Sequence, residues 1–81
     1  MITKKTVVTC PEGLHARPAA AFLKTAKRFP CSVYINYKGK TISAKSMVAI
    51  MSAGISCGEE VELVCDGAQE EDAIEALSRT L

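Results

Sequence analysis

Polar and apolar positions alternate in short runs along the chain, and two longer stretches repeat at helical spacing. Residues 2–9 (ITKKTVVT) are rich in β-branched types and predict a first strand. Pro11 and Gly13 break the chain into a loop over residues 10–13. Over residues 16–29 the apolar Ala19, Phe22, Leu23, Ala26 and Phe29 recur at helical spacing, with Lys24, Lys27 and Arg28 on the wet side, and Pro30 closes the helix. Residues 32–37 (SVYINY) alternate Val33, Ile35 and Tyr37 and predict a second strand, turned by Lys38-Gly39 into a short third strand over 40–43. A short second helix is predicted over 46–53, stopped by Gly54. Cys57-Gly58 leads into a fourth strand over 59–65, and a last helix from about residue 69 places Ala73, Ile74, Leu77 and Leu81 on one face. The order β-α-β-β-α-β-α predicts a two-layer α+β domain, one sheet with its helices on a single face. The hairpin makes at least part of that sheet antiparallel. No repeat or linker interrupts residues 1–81, which read as one domain.

Composition narrows the function. With 81 residues the chain has little room for a deep catalytic cleft, so function is expected at its surface. A net charge of +1, two Phe, two Tyr and no Trp exclude a general nucleic-acid binder. No run approaches the ~18 apolar residues of a membrane span. The N-terminal residues lack the apolar core of a signal peptide, which predicts a cytoplasmic protein with reduced thiols. The four cysteines, at 10, 31, 57 and 65, form no CxxC pair, and only one histidine is present to complete a metal site, which usually needs four ligands from two close pairs. No metal or other cofactor is expected. The cysteines read as small hydrophobes, Cys65 most clearly, because it alternates with Val61 and Leu63.

The chemistry concentrates in Gly13-Leu14-His15-Ala16-Arg17-Pro18, where a loop enters the first helix. Pro18 suits a first turn, because the N–H it lacks has no intrahelical partner there. His15 then falls at or next to the N-cap, and the N–H groups of Ala16 and Arg17 aim at an incoming anion. Arg17 adds a fixed charge and a planar donor fork suited to phosphate. The positive end of the helix disfavours imidazolium, which predicts a neutral nucleophile at pH 7. Local physics leaves a phosphate-accepting histidine and a histidine that merely caps the helix both open. A nucleophilic Cys10–His15 pair is a third reading, without an orienting group or a substrate pocket in the sequence.

The segment PEGLHARPAAAF (residues 11–22) closely resembles the active-site segment of the HPr family, the histidine-containing phosphocarriers of the bacterial phosphoenolpyruvate-dependent sugar phosphotransferase system. SAKSMVAIMSAGISCGEEVEL (residues 43–63) is similar to that family's second-helix region and fourth strand. The resemblance implies an open-faced sandwich: a four-stranded antiparallel sheet in the order 1-4-2-3 under three helices. It implies phosphorylation of His15 on Nδ1 by enzyme I, and delivery to the IIA domains of sugar permeases, with Arg17 and the Ala16 and Arg17 backbone stabilising the phosphate. Such a protein is a carrier with a phosphohistidine intermediate, not an enzyme that turns over a substrate alone. Ser46 matches the serine modified by the HPr kinase/phosphorylase, whose product engages a catabolite-control transcription regulator. Two features depart from the family pattern. Glu12 puts an anion near the phosphate site, and the chain ends at Leu81, which implies a short last helix.

Docking is expected on an apolar patch of Ala20, Met47, Val48 and Met51 ringed by Lys24, Lys27 and Lys45. Flexible Met side chains repack against unrelated partners, and the lysines attract acidic ones. Ser46 reads as the N-cap of the second helix in the unmodified protein. The alternative to a carrier is a regulatory module acting through Ser46 and the second helix, or a nitrogen-branch paralogue; His15, Arg17 and Pro18 favour the carrier. The expected state is a monomer.

Overall fold

The computed structural model describes residues 1–11, 13, 14 and 16–81. Its elements follow in the order β1 (Ile2–Val7), α1 (Ala16–Lys27), β2 (Ser32–Tyr37), β3 (Lys40–Ser43), α2 (Met47–Ser52), β4 (Glu60–Asp66) and α3 (Glu70–Ser78). The strands form one antiparallel sheet in the order β1-β4-β2-β3. Period-two alternation decides which face is buried. Val33, Ile35 and Tyr37 of β2, Ile42 of β3, and Val61, Leu63 and Cys65 of β4 all point to the helical layer. Against them pack Ala19, Phe22 and Ala26 of α1, Ile50 of α2, and Ala73, Ile74 and Leu77 of α3. The other face carries Tyr34, Val64 and a polar ladder in which Thr41 donates to Asn36 and Asn36 to Glu62 (both 3.0 Å).

Element ends differ from the sequence reading by one to three residues, several for a visible reason. Val8 and Thr9 still make backbone bonds, but to the Gly58–Glu59 turn and to Leu81, so β1 ends at Val7. The α1 helix ends at Lys27 because the N–H groups of Arg28 and Phe29 tighten onto carbonyls three residues back (3.1 and 3.3 Å), ahead of Pro30. The turn takes Glu59 and leaves β4 starting at Glu60, while the pairing of Asp66 with Ser32 extends its far end. Helix α3 stops at Ser78, yet Leu81 remains buried with Ala73, Ile74 and Leu77. Gln69 precedes α3 with φ +63° and makes no side-chain cap; the Gly67 N–H donates instead to the Glu70 carboxylate (3.2 Å).

Candidate functional site

The loop that enters α1 is held from both sides. At its start the Thr9 N–H and hydroxyl both donate to the Leu81 carbonyl, and the Gly13 N–H closes a turn onto the Cys10 carbonyl (2.9 Å). At its end Leu14 is 2% exposed, and its N–H donates to the Ile55 carbonyl (3.0 Å). Gly13 lies against the same segment with φ +72°. A Cβ there would stand 2.5 Å from the Ile55 oxygen and 2.9 Å from the Ser56 Cα. Only glycine fits both the torsion and the space. The loop before α1 is thereby seated on the turn that follows α2.

Glu12 and His15 lie outside the described residues, and with them the expected N-cap position and imidazole protonation of His15 and the orientation of Glu12. Helix α1 begins at the next residue, Ala16, and the exposed Ala16 and Arg17 occupy its first turn with Pro18. The first N–H groups of a helix have no carbonyl four residues back within it, and they carry the positive end of its dipole. The N-terminal end of this 12-residue helix thus offers open backbone donors, and Arg17 is exposed in the same turn.

Ser46 is the N-cap of α2, with extended backbone torsions (φ −120°, ψ 113°) and a hydroxyl that accepts the Ala49 N–H (3.3 Å). Ile50 anchors the helix in the core, Met47 is half-buried against it, and Val48 and Met51 are 76% and 44% exposed. Helices α1 and α2 are in contact, and Ala20, Lys24 and Lys27 lie on the exposed side of α1. Lys45 differs from the expected rim. Its Nζ donates to the carbonyls of Phe29 (3.1 Å) and Cys31 (2.9 Å), so the ammonium holds the α1–β2 connection instead of facing a partner. Both carbonyls lie past the end of α1, in the connection to β2.

Among the described residues the four cysteines are free thiols, and no group of His, Cys, Asp and Glu is arranged to hold a metal. Cys31 and Cys65 are buried hydrophobes. Desolvation, with a smaller contribution from Cys31, pushes the Cys65 thiol up to about 11 and leaves it unreactive. Cys10 points its Sγ at the Thr80 and Leu81 carbonyls (3.5 and 3.7 Å), and Cys57 is exposed.

The sequence reading missed a polar cluster beside the loop. The Glu59 carboxylate accepts the Tyr37 phenol O–H and the Ser56 N–H (2.9 Å), and the Lys38 ammonium lies 3.4 Å away. The Tyr37 and Ser56 hydrogen bonds, ahead of the Lys38 charge, lower the Glu59 pKa. The carboxylate in turn raises that of Tyr37. The pKa of Lys38 is raised by its contacts with Tyr37 and Glu59. Lys38 takes a left-handed torsion (φ +49°) ahead of Gly39 (φ +78°), which gives a two-residue hairpin turn. Lys-Gly signalled the turn, but nothing local to residue 59 signalled the carboxylate at its centre.

Residues 2–81 match the family model described as the PTS HPr component phosphorylation site. The phosphocarrier protein HPr of Buchnera aphidicola is 42% identical over 78 residues, 96% of this chain and 92% of the relative. The HPr-like protein Crh of Bacillus subtilis is 41% identical over the same shares. A crystal structure of that Crh, described as a domain-swapped intertwined dimer, superposes with a TM-score of 0.79 at 40% identity, covering 99% of this chain and 92% of the other. The crystal structure of HPr from Bacillus anthracis superposes with a TM-score of 0.95 at 39% identity, covering 99% of this chain and 95% of that one.

Proposed function

The chain belongs to the HPr family, and within it we propose that it works as a phosphocarrier whose acceptor is His15. Phospho-enzyme I supplies the phosphoryl group, and IIA domains of sugar permeases take it on, in the cytoplasm. The junction at residues 13–18 carries this reading. Gly13 and Leu14 are locked onto Ile55, and a helix opens at Ala16 with Arg17 exposed in its first turn. A neutral His15 imidazole attacks phosphorus through Nδ1; the N–P bond forms as the bond to the donor breaks, and the reverse exchange delivers the group to the acceptor. The first-turn N–H groups and Arg17 stabilise the charge on the phosphoryl oxygens during both transfers. No substrate is turned over by the chain alone.

A regulatory role is a second reading, favoured by the likeness to Crh and by the placement of Ser46 at the start of α2 beside the exposed Val48 and Met51. A phosphate there would be added by an HPr kinase/phosphorylase and read by a catabolite-control transcription regulator. His15 is present in this chain, so the two roles are compatible. We place the protein as a monomer in both, and light scattering separates this from a swapped dimer of the kind described for Crh. Incubation with enzyme I and labelled phosphoenolpyruvate tests the carrier reading. The expected product is an acid-labile label on wild-type protein that is absent from His15→Ala. An acid-stable label, or one that survives His15→Ala, contradicts it.

A further inference from the structure

We propose that Glu59 is a positioning residue for the loop that carries His15; this rests on the phosphocarrier reading above. Its carboxylate ties its own turn to one remote segment, the β2–β3 hairpin. One oxygen accepts the Ser56 N–H (2.9 Å), and the other accepts the Tyr37 phenol and lies 3.4 Å from the Lys38 ammonium. Its backbone adds two more ties, donating to the Ser56 carbonyl (3.2 Å) and accepting the Val8 N–H (2.9 Å). One residue thus fastens the end of β1, the tip of the β2–β3 hairpin and the turn after α2 to one another.

That turn is the seat of the phosphoacceptor loop. The Ile55 carbonyl receives the Leu14 N–H, and Gly13 lies so close to Ile55 and Ser56 that a side chain is excluded. Leu14 is buried, and α1 opens at Ala16, two residues on. A shift of Ile55 therefore passes to Leu14, and from there to the first-turn N–H groups that would meet the phosphate. The hairpin side of the brace is kept at a conformational cost, because Lys38 holds a left-handed torsion that Asn or Gly adopts more readily. Its ammonium stands 5.2 Å above the Tyr37 ring and next to the Glu59 carboxylate.

A residue that only supports the fold and one that positions the loop make different predictions. Loss of plain support lowers global stability and loosens every core amide together. Loss of a brace loosens Leu14 ahead of the core and slows the chemical step more than docking. The test compares wild type with Glu59→Ala and Glu59→Gln in the full chain. It follows amide exchange of Leu14 against Leu63 in β4, together with phosphorylation kinetics with phospho-enzyme I.

For Glu59→Ala we expect Leu14 exchange to rise about tenfold relative to Leu63. We also expect kcat to fall about tenfold with KM within about twofold, because misplacement costs the transfer step. Glu59→Gln, whose amide oxygen can still accept the Ser56 N–H, should recover most of both. Leu14 exchange that moves only in step with Leu63 overturns the proposal, and so does an unchanged kcat in Glu59→Ala. Failure of wild-type protein to take phosphate on His15 overturns the phosphocarrier reading itself, and is seen before any variant is compared.

Discussion

Replacing Gly13 by alanine attacks the loop at its tightest contact. The new Cβ would stand 2.5 Å from the Ile55 oxygen and 2.9 Å from the Ser56 Cα, both backbone atoms that no side-chain rotation can clear. The left-handed torsion, φ +72°, costs an L-residue roughly 1–2 kcal/mol. Forcing atoms into packed space adds about 1–3 kcal/mol. The smaller entropy of the unfolded alanine chain offsets only about 0.4–1 kcal/mol. The net loss is about 1–4.5 kcal/mol, which at about 4–8 °C per kcal/mol for a domain of this size lowers the melting temperature by roughly 5–35 °C. Gly58→Ala is the internal control. It shares a left-handed torsion (φ +88°), but its Cβ would meet nothing within 4 Å, so it carries the torsional cost alone, about 1 kcal/mol. Urea denaturation with the m-value held as a check separates the two terms. Gly13→Ala within about 0.5 kcal/mol of Gly58→Ala would refute the reasoning, since the overlap would then cost nothing beyond ordinary scatter.

Ser46→Ala should lose about 0.5–2 kcal/mol by leaving the Ala49 N–H without its cap. Ser46→Asp restores a capping oxygen, so it should keep or raise the melting temperature while slowing phosphorylation of His15; a large fall in melting temperature would mean fold damage instead. Charge reversal at Lys24 and Lys27 should raise KM for enzyme I most at low salt, whereas salt-independent kinetics in wild type and variant would remove these lysines from docking. Arg17→Ala should slow transfer yet leave some phosphorylation, because the backbone donors of α1 remain; wild-type rates to enzyme I and to a IIA domain would show that the guanidinium is not used. The pKa of Glu59 is lowered from its ordinary value of 4.5 by the Tyr37 and Ser56 hydrogen bonds. Its stabilising contribution is therefore present above pH 4.5 and is lost as pH falls through the lower folded value. The stability gap between wild type and Glu59→Gln should be constant above that pH and shrink below it, and a gap that widens on acidification would reverse the sign.

What the sequence disclosed was what depends on near neighbours. The alternation of Val33, Ile35 and Tyr37 could be read because a strand buries every second residue, and all three face the core. The Ser46 cap could be read because its partner, Ala49, is three residues away. The strand order was a different matter. The pattern of elements gives a sheet under helices, but the order β1-β4-β2-β3 came with the family resemblance carried by residues 11–22 and 43–63. Lys45 was assigned to the docking rim because nothing nearby competed for it. The carbonyls that hold it belong to Phe29 and Cys31, 16 and 14 residues back, and meet it only once α1 and β2 have packed. Glu59 was overlooked for the same reason, since Tyr37 lies 22 residues away and reaches it only through the sheet. The motif at residues 13–18 left a phosphate acceptor and a helix cap both open until the family resemblance was weighed, while its seat on Ile55 is a product of tertiary packing.

The central claim is that His15 accepts a phosphoryl group and gives it up. Its most direct test is a chase: the chain is phosphorylated by enzyme I and phosphoenolpyruvate, freed of both, and mixed with a purified IIA domain while label is followed on the two proteins. The account predicts an acid-labile label on His15 that leaves this chain and arrives on the IIA domain, and no label at all on His15→Ala. A label that forms on His15 but stays there in the presence of the IIA domain, or one that forms on another residue, would contradict it.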